Sequence, residues 1–140
     1  MPELVRVAIV GTGYIADYHA RAVKNTEGAE LAGALGIKVE DAEEFCLRHG
    51  GTSYASREAL AADPEVDAVV IATPNNLHLP LGKYFLETRK HLLIEKPMAM
   101  NAGEAARLRQ TARRNDLRLM VGHMWRFDRE FHGASVGALT

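Results

Sequence analysis

Leu4-Val5-Arg6-Val7-Ala8-Ile9-Val10-Gly11-Thr12-Gly13-Tyr14-Ile15-Ala16 is the stretch on which the fold turns. Leu4–Val10 is a β-branched apolar run that halts at Gly11. It is short, carries Arg6 and runs into a glycine turn, so it predicts a strand rather than a signal peptide. Gly11-Thr12-Gly13-Tyr14-Ile15-Ala16 then fits G-x-G-x-x-G/A. The motif has meaning only after a strand and at the start of a helix, and that is its setting here. Gly11 permits the tight turn, Gly13 lets the backbone approach a pyrophosphate, and Ala16 lets the helix pack close to the sheet. The first-turn N–H groups and the helix dipole favour an anion at Thr12, Gly13, Tyr14 and Ile15. An ordinary glycine turn is the alternative.

Downstream, strand and helix patterns alternate. Tyr14–Asn25 has helical spacing, with Ile15, Tyr18 or His19, and Ala22 or Val23 on one face. Glu30–Leu35 predicts a strand, Val39–His49 a helix stopped by Gly50-Gly51, and Thr52–Tyr54 a short strand. Ser56 is placed to cap a short helix ending near Asp63-Pro64. Val66–Ala72 is the clearest buried strand. Leu77–Thr88 predicts a helix, Lys90–Ile94 a strand, and Asn101 with Glu104 a capping box opening a helix to about Asn115. Leu117–Val121 is the last strand. This alternation predicts an α/β fold: a doubly wound, mostly parallel sheet with helices on both faces.

Composition narrows the function classes. The formal net charge is −1, which offers nothing to nucleic acid or to an anionic membrane. No apolar run reaches bilayer length. Cys46 is the only cysteine, so no internal disulfide forms and a reducing, cytoplasmic compartment is the natural reading. The six histidines lack close ligand spacing, so no metal site is expected.

Three polar clusters follow strands, where ligands bind in open α/β sheets. The end of the second strand should hold an acid for the ribose hydroxyls of NAD. Gly36 stands there instead, followed by Lys38. Loss of the carboxylate removes repulsion against a 2′-phosphate, which favours NADP over NAD. Lys38 supplies a cation or is a plain surface lysine, and Glu40 or Asp41 can reach the ribose in a shifted register. Thr73-Pro74-Asn75-Asn76-Leu77-His78 follows the most buried strand. Asn75 or Asn76 can cap the next helix. His78 can orient a nicotinamide or a substrate hydroxyl, or sit partly buried on a backbone partner. Glu95-Lys96-Pro97 follows the next strand. Lys96 can hold a substrate oxygen or act as general acid/base. Glu95 points to the other side of an extended backbone and need not neutralise it. After Gly122, in His123-Met124-Trp125-Arg126-Phe127, Arg126 can contact cofactor or substrate.

These four segments together resemble the Gfo/Idh/MocA family, the relatives of glucose–fructose oxidoreductase and inositol dehydrogenase, over roughly Val5 to Glu130. The resemblance implies a Rossmann domain at residues 1–124 that binds NAD or NADP. It implies that Lys96 lies at the nicotinamide and helps hydride transfer at a sugar or cyclitol carbinol. Thr73, Pro74 and Asn75 would line the nicotinamide side, with His78, Glu95 and Arg126 nearby, and the Lys96–Pro97 peptide is often cis. Gly36 is similar to the NADP-using members. The family also has a second α/β substrate domain, missing here, which supplies an Asp and a His and often forms the oligomer interface. Residues 125–140 read as the start of that domain, cut short, or as a frayed tail. The implied partners are a nicotinamide dinucleotide, a sugar-like small molecule in the full-length form, and a homo-oligomeric copy. A non-catalytic dinucleotide-binding module or an inactive fragment is the alternative.

Overall fold

A computed structural model of the chain describes residues 4–123. Six strands form one sheet in the order β3-β2-β1-β4-β5-β6. They are β1 (Val5–Val10), β2 (Ala29–Leu35), β3 (Thr52–Ser53), β4 (Ala68–Ile71), β5 (His91–Glu95) and β6 (Leu119–Gly122). Every pairing is parallel. The order reverses between β1 and β4, the topological switch point of a doubly wound sheet.

The helices are α1 (Tyr14–Lys24), α2 (Val39–His49), α3 (Arg57–Ala62), α4 (His78–Glu87) and α5 (Ala102–Arg114). Two begin where the sequence places a cap. Ser56 Oγ accepts from the Ala59 N–H at 3.1 Å. Asn101 Oδ1 accepts from the Glu104 N–H at 2.9 Å, and Glu104 reaches back to accept from the Met100 N–H at 3.0 Å. The reciprocal pair satisfies two donors that a helix start leaves open.

Each face of the sheet has its own core. On one, Val10, Val69, Ile71, Leu92 and Ile94 pack with Leu60, Phe85, Leu86, Leu108 and Ala112 from α3, α4 and α5. On the other, Val7, Ile9, Leu31, Ala34 and Val70 pack with Ala16, Ala20 and Phe45 from α1 and α2. The buried residues of α1 are Ala16 and Ala20, with Val23 packed against the same core; of the expected face of Ile15, Tyr18 or His19, and Ala22 or Val23, only Val23 joins it. Small side chains let α1 sit close to the sheet, and the larger ones beside them stay open.

Three strand ends differ from the sequence reading. Val66 is buried but sits in a turn, its N–H bonded to the Asp63 carbonyl. Buried Lys90 braces that turn by donating to the Asp63 and Val66 carbonyls, each at 2.7 Å. Leu117 closes α5, its N–H on the Ala112 carbonyl, and is not part of β6. Glu95 is the last residue of β5, paired with Gly122, rather than the first beyond it. No described helix is long and apolar enough to cross a membrane.

Candidate functional site

Parallel register brings three of the sequence clusters to one edge. Val10 pairs with Ile71, Ile71 with Ile94, and Ile94 with Val121. Gly11, Ala72, Glu95 and Gly122 therefore stand in line at the carboxyl ends of β1, β4, β5 and β6.

Gly11 takes φ +116°, and a Cβ there would run into the Ala72 carbonyl. Its N–H donates to the Leu35 carbonyl at 2.8 Å, and the Ala72 N–H donates to the Val10 carbonyl, so the turn is tied to both neighbouring strands. Gly13 is the N-cap of α1 and makes no side-chain cap. A Cβ on Gly13 would meet nothing within 4 Å. Half-buried Thr12 and exposed Tyr14 and Ile15 flank that opening. Open space in front of uncapped first-turn N–H groups fits a phosphate. The acid of that turn, Asp17, is already engaged. Its carboxylate accepts from His49 Nε2–H at 2.7 Å and from Arg48 at 2.6 Å. The His49 bond, with Arg48 behind it, holds the carboxyl below the usual range.

At the end of β2, a Cβ on Gly36 would lie 2.9 Å from the Lys38 carbonyl and 3.1 Å from the Ala42 nitrogen. The first turn of α2 fills the space an acid at 36 would need. Exposed Lys38 is the N-cap residue of α2. Glu40 is exposed and Asp41 half-buried in the turn that follows.

Beyond β4, Thr73 is half-buried, Pro74 and Asn75 are exposed, and Asn75–Leu77 forms one 3₁₀ turn before α4. Neither Asn75 nor Asn76 caps a helix: Pro74 and Leu77 occupy the cap positions with no side-chain bond. His78 is fully buried. Its Nδ1–H donates to the Pro97 carbonyl at 2.7 Å, and Nε2 lies 3.1 Å from the Thr73 carbonyl. Both ring nitrogens face main chain, so the ring ties the Thr73 loop to the Pro97 loop and leaves no nitrogen for a ligand. The Lys96–Pro97 peptide is cis.

A cleft of about 830 Å³ runs from the strand ends down the α1 face of β5 and β6. Ile15, Thr73, Asn75, Glu95 and Lys96 line it, together with Tyr18 and His19, which helical spacing offers as alternatives on one face of α1. Lys96 is exposed at the rim. Glu95 turns away from it and accepts from His19 Nε2–H at 2.6 Å. The signal for His19 was a lone histidine on an apolar stripe of the helix that opens at the phosphate turn. Among the described residues no acid–histidine–cysteine cluster could hold a metal. Arg126 lies outside the described residues, as do residues 125–140.

The sequence profile of an oxidoreductase family with an NAD-binding Rossmann fold matches residues 5–123. The glucose-6-phosphate 3-dehydrogenase of Bacillus subtilis is 34% identical over 122 residues, covering 87% of this chain and 34% of that protein. The scyllo-inositol 2-dehydrogenase (NADP(+)) of the same organism is 33% identical over 118 residues, covering 84% of this chain and 36% of its own length. A 3-ketoreductase from Actinomadura kijaniata, solved with NADP, superposes at TM-score 0.91 with 27% identity, over 96% of this chain and 43% of that one. The chain thus spans about a third of the length of these two curated relatives.

Proposed function

The chain belongs to the Gfo/Idh/MocA oxidoreductase family, and from that membership we propose that it is the dinucleotide-binding portion of an NAD(P)-dependent oxidoreductase acting on a sugar- or cyclitol-like alcohol or carbonyl. The observation that carries this reading is the alignment of the Gly11 turn, the Ala72-Thr73 end and the Glu95-Lys96 end on one sheet edge, opening into one cleft. A pure dinucleotide binder needs the first of these and has no use for a lysine at the third. The substrate class follows the relatives, whose names specify a sugar phosphate and a cyclitol.

Bound nicotinamide supplies a hydride acceptor or donor at ring C4. The first-turn N–H groups of α1 hold the pyrophosphate. Ile15, Thr73, Pro74 and Asn75 set the walls around the ring. Lys96 Nζ hydrogen-bonds the reacting oxygen and exchanges its proton as the attached carbon changes oxidation state. Help of this kind is worth about 10²–10⁴ in rate, the loss of turnover expected of Lys96→Ala in the full-length enzyme. Lys38 meets a 2′-phosphate, and the filled space at Gly36 keeps a carboxylate away from it, so NADP is preferred over NAD.

Calorimetric titration of the chain tests the cofactor reading. NADPH binds about tenfold more tightly than NADH, Lys38→Ala brings the two together, and Lys96→Ala leaves NADPH affinity within about twofold. Failure of the wild-type chain to bind either dinucleotide would overturn the assignment of the phosphate turn.

A further inference from the structure

His19 has no part in the function proposed so far, yet it makes the one side-chain bond joining α1 to the tip of β5 among the described residues. The partners are 76 residues apart, with His19 Nε2 and Glu95 Oε1 separated by 2.6 Å. The two side chains are only 20% and 21% exposed, inside the cleft. A carboxylate only accepts, so Nε2 carries the proton and the bond is charge-assisted, the stronger kind of hydrogen bond.

Glu95 is held on three sides. Its second oxygen, Oε2, accepts from the main-chain N–H of Lys96 at 3.3 Å. On β6, its register partner Gly122 has no side chain, and a Cβ there would lie 3.1 Å from Oε1. Alternation along β5 turns the Glu95 side chain to the α1 face. Lys96 itself makes no ion pair among the described residues, although its sequence neighbour is an acid. His19 has taken that acid.

We infer that His19 is a positioning residue: by holding Glu95 against α1, it fixes the peptide that carries Lys96 relative to the phosphate-binding helix and keeps the Glu95 carboxylate off the Lys96 amine. This inference rests on the proposed dinucleotide site. Its chemistry is that of preorganisation. A reacting group displaced by about 1 Å can lose about 10²-fold in rate, and an ammonium drawn onto a neighbouring carboxylate is pulled away from the position that meets a substrate oxygen, even though it keeps other N–H donors. The same helix holds the pyrophosphate at one end and Glu95 through its second turn. The nicotinamide half of the cofactor is therefore bound between parts that His19 keeps in register. The adenosine half, out at β2 and α2, is independent of the bond.

The test compares NADPH with 2′,5′-ADP, which carries only the adenosine half, on the full 140-residue chain. His19→Ala is expected to weaken NADPH binding at least fivefold, to leave 2′,5′-ADP within twofold, and to remove the rise and blue shift of reduced-nicotinamide emission expected when NADPH binds the wild-type chain. His19→Gln, whose amide N–H reaches the place of Nε2–H, recovers most of the affinity and the emission. Glu95→Ala weakens NADPH as much as His19→Ala, and the double variant is no worse than either. Three results overturn the inference: wild-type NADPH affinity in His19→Ala, equal weakening of both ligands, or both His19 variants failing to fold in a thermal melt. The last would make the pair a structural staple. Wild-type chain that binds neither ligand overturns the dinucleotide site itself, and the two failures are thereby distinguished.

Discussion

A methyl group at Gly11 has nowhere to go, whereas one at Gly13 meets no protein atom within 4 Å. Two glycines of one motif therefore answer to different physics. Gly11 is a folding residue: φ +116° is costly for any side chain, and the Ala72 carbonyl blocks the space. Gly13 has an ordinary φ of −86° with open space in front of it, which suits the proposed phosphate site. Gly11→Ala is expected to cost about 2–3 kcal/mol of stability in urea melts. Gly13→Ala should melt within about 1 kcal/mol of wild type and lose most NADPH affinity by calorimetry. Equal behaviour of the two variants would remove the distinction. At this scale the sequence marks a residue where backbone geometry demands it, as at Gly11 in its tight turn. At His78 the sequence leaves two readings open, and the structure gives the buried one with backbone partners; at His19 it gives only a helix face, because the partner Glu95 lies on a distant strand. A histidine's role depends on which acceptors the fold brings to its two nitrogens, and that is tertiary information.

Among the elements, α1 shows where periodicity loses its hold. Apolar and small residues occupy two adjacent stripes, Ala16/Ala20 and Ile15/Tyr18/Ala22, about 100° apart on a helix. Size would suggest burying the larger set, but close packing on a sheet favours alanine. The larger set is left to line the cleft, so an expected core face is a wall of the site. Caps were legible because a capping residue and its partner lie within one turn, as for Ser56 and Asn101. The α1–α2 contact was not, because it depends on Asp17 meeting Arg48 and His49 across 31 and 32 residues. That contact has a pH signature. The folded carboxyl of Asp17 titrates below its unfolded value near 3.9. Its contribution is thus present above about pH 4 and is lost as pH falls through the folded value. Asp63, held low chiefly by the Tyr54 hydroxyl at 2.7 Å, adds in the same direction. In urea melts, the loss of stability between pH 7 and pH 3 should shrink in Asp17→Asn. An unchanged loss would assign acid sensitivity to other carboxylates.

Seen whole, the molecule is two βα halves meeting at β1 and β4, and the proposed cofactor site lies across their junction. The βα alternation carried the fold class, because each apolar run and capped helix announces itself locally. Strand order is not legible in the sequence, since parallel pairing is settled by crossovers between distant segments. Helices cover both faces as the alternation predicts; among the described residues the α1 face of β5 and β6 is left open beside α1, and Leu93 and Met120 line the cleft there. A ligand spanning the junction should couple the halves in a way that a half-ligand does not. At a hundredfold excess over Kd, any ligand stabilises the folded chain by about 2.7 kcal/mol, so melting temperature alone cannot tell NADPH from 2′,5′-ADP. Hydrogen exchange can. NADPH should slow exchange both at Gly13–Ala16 in α1 and at Thr73–Leu77 and Lys96 beyond β4 and β5, whereas 2′,5′-ADP should slow only the first group and the residues around Lys38. Both ligands have the same anchor at the glycine turn, so protection of the far half must come from the nicotinamide end. If NADPH protected only the half built on β1, β2 and β3, the ring would not lie at Lys96. The cleft would then have to be assigned to a different ligand.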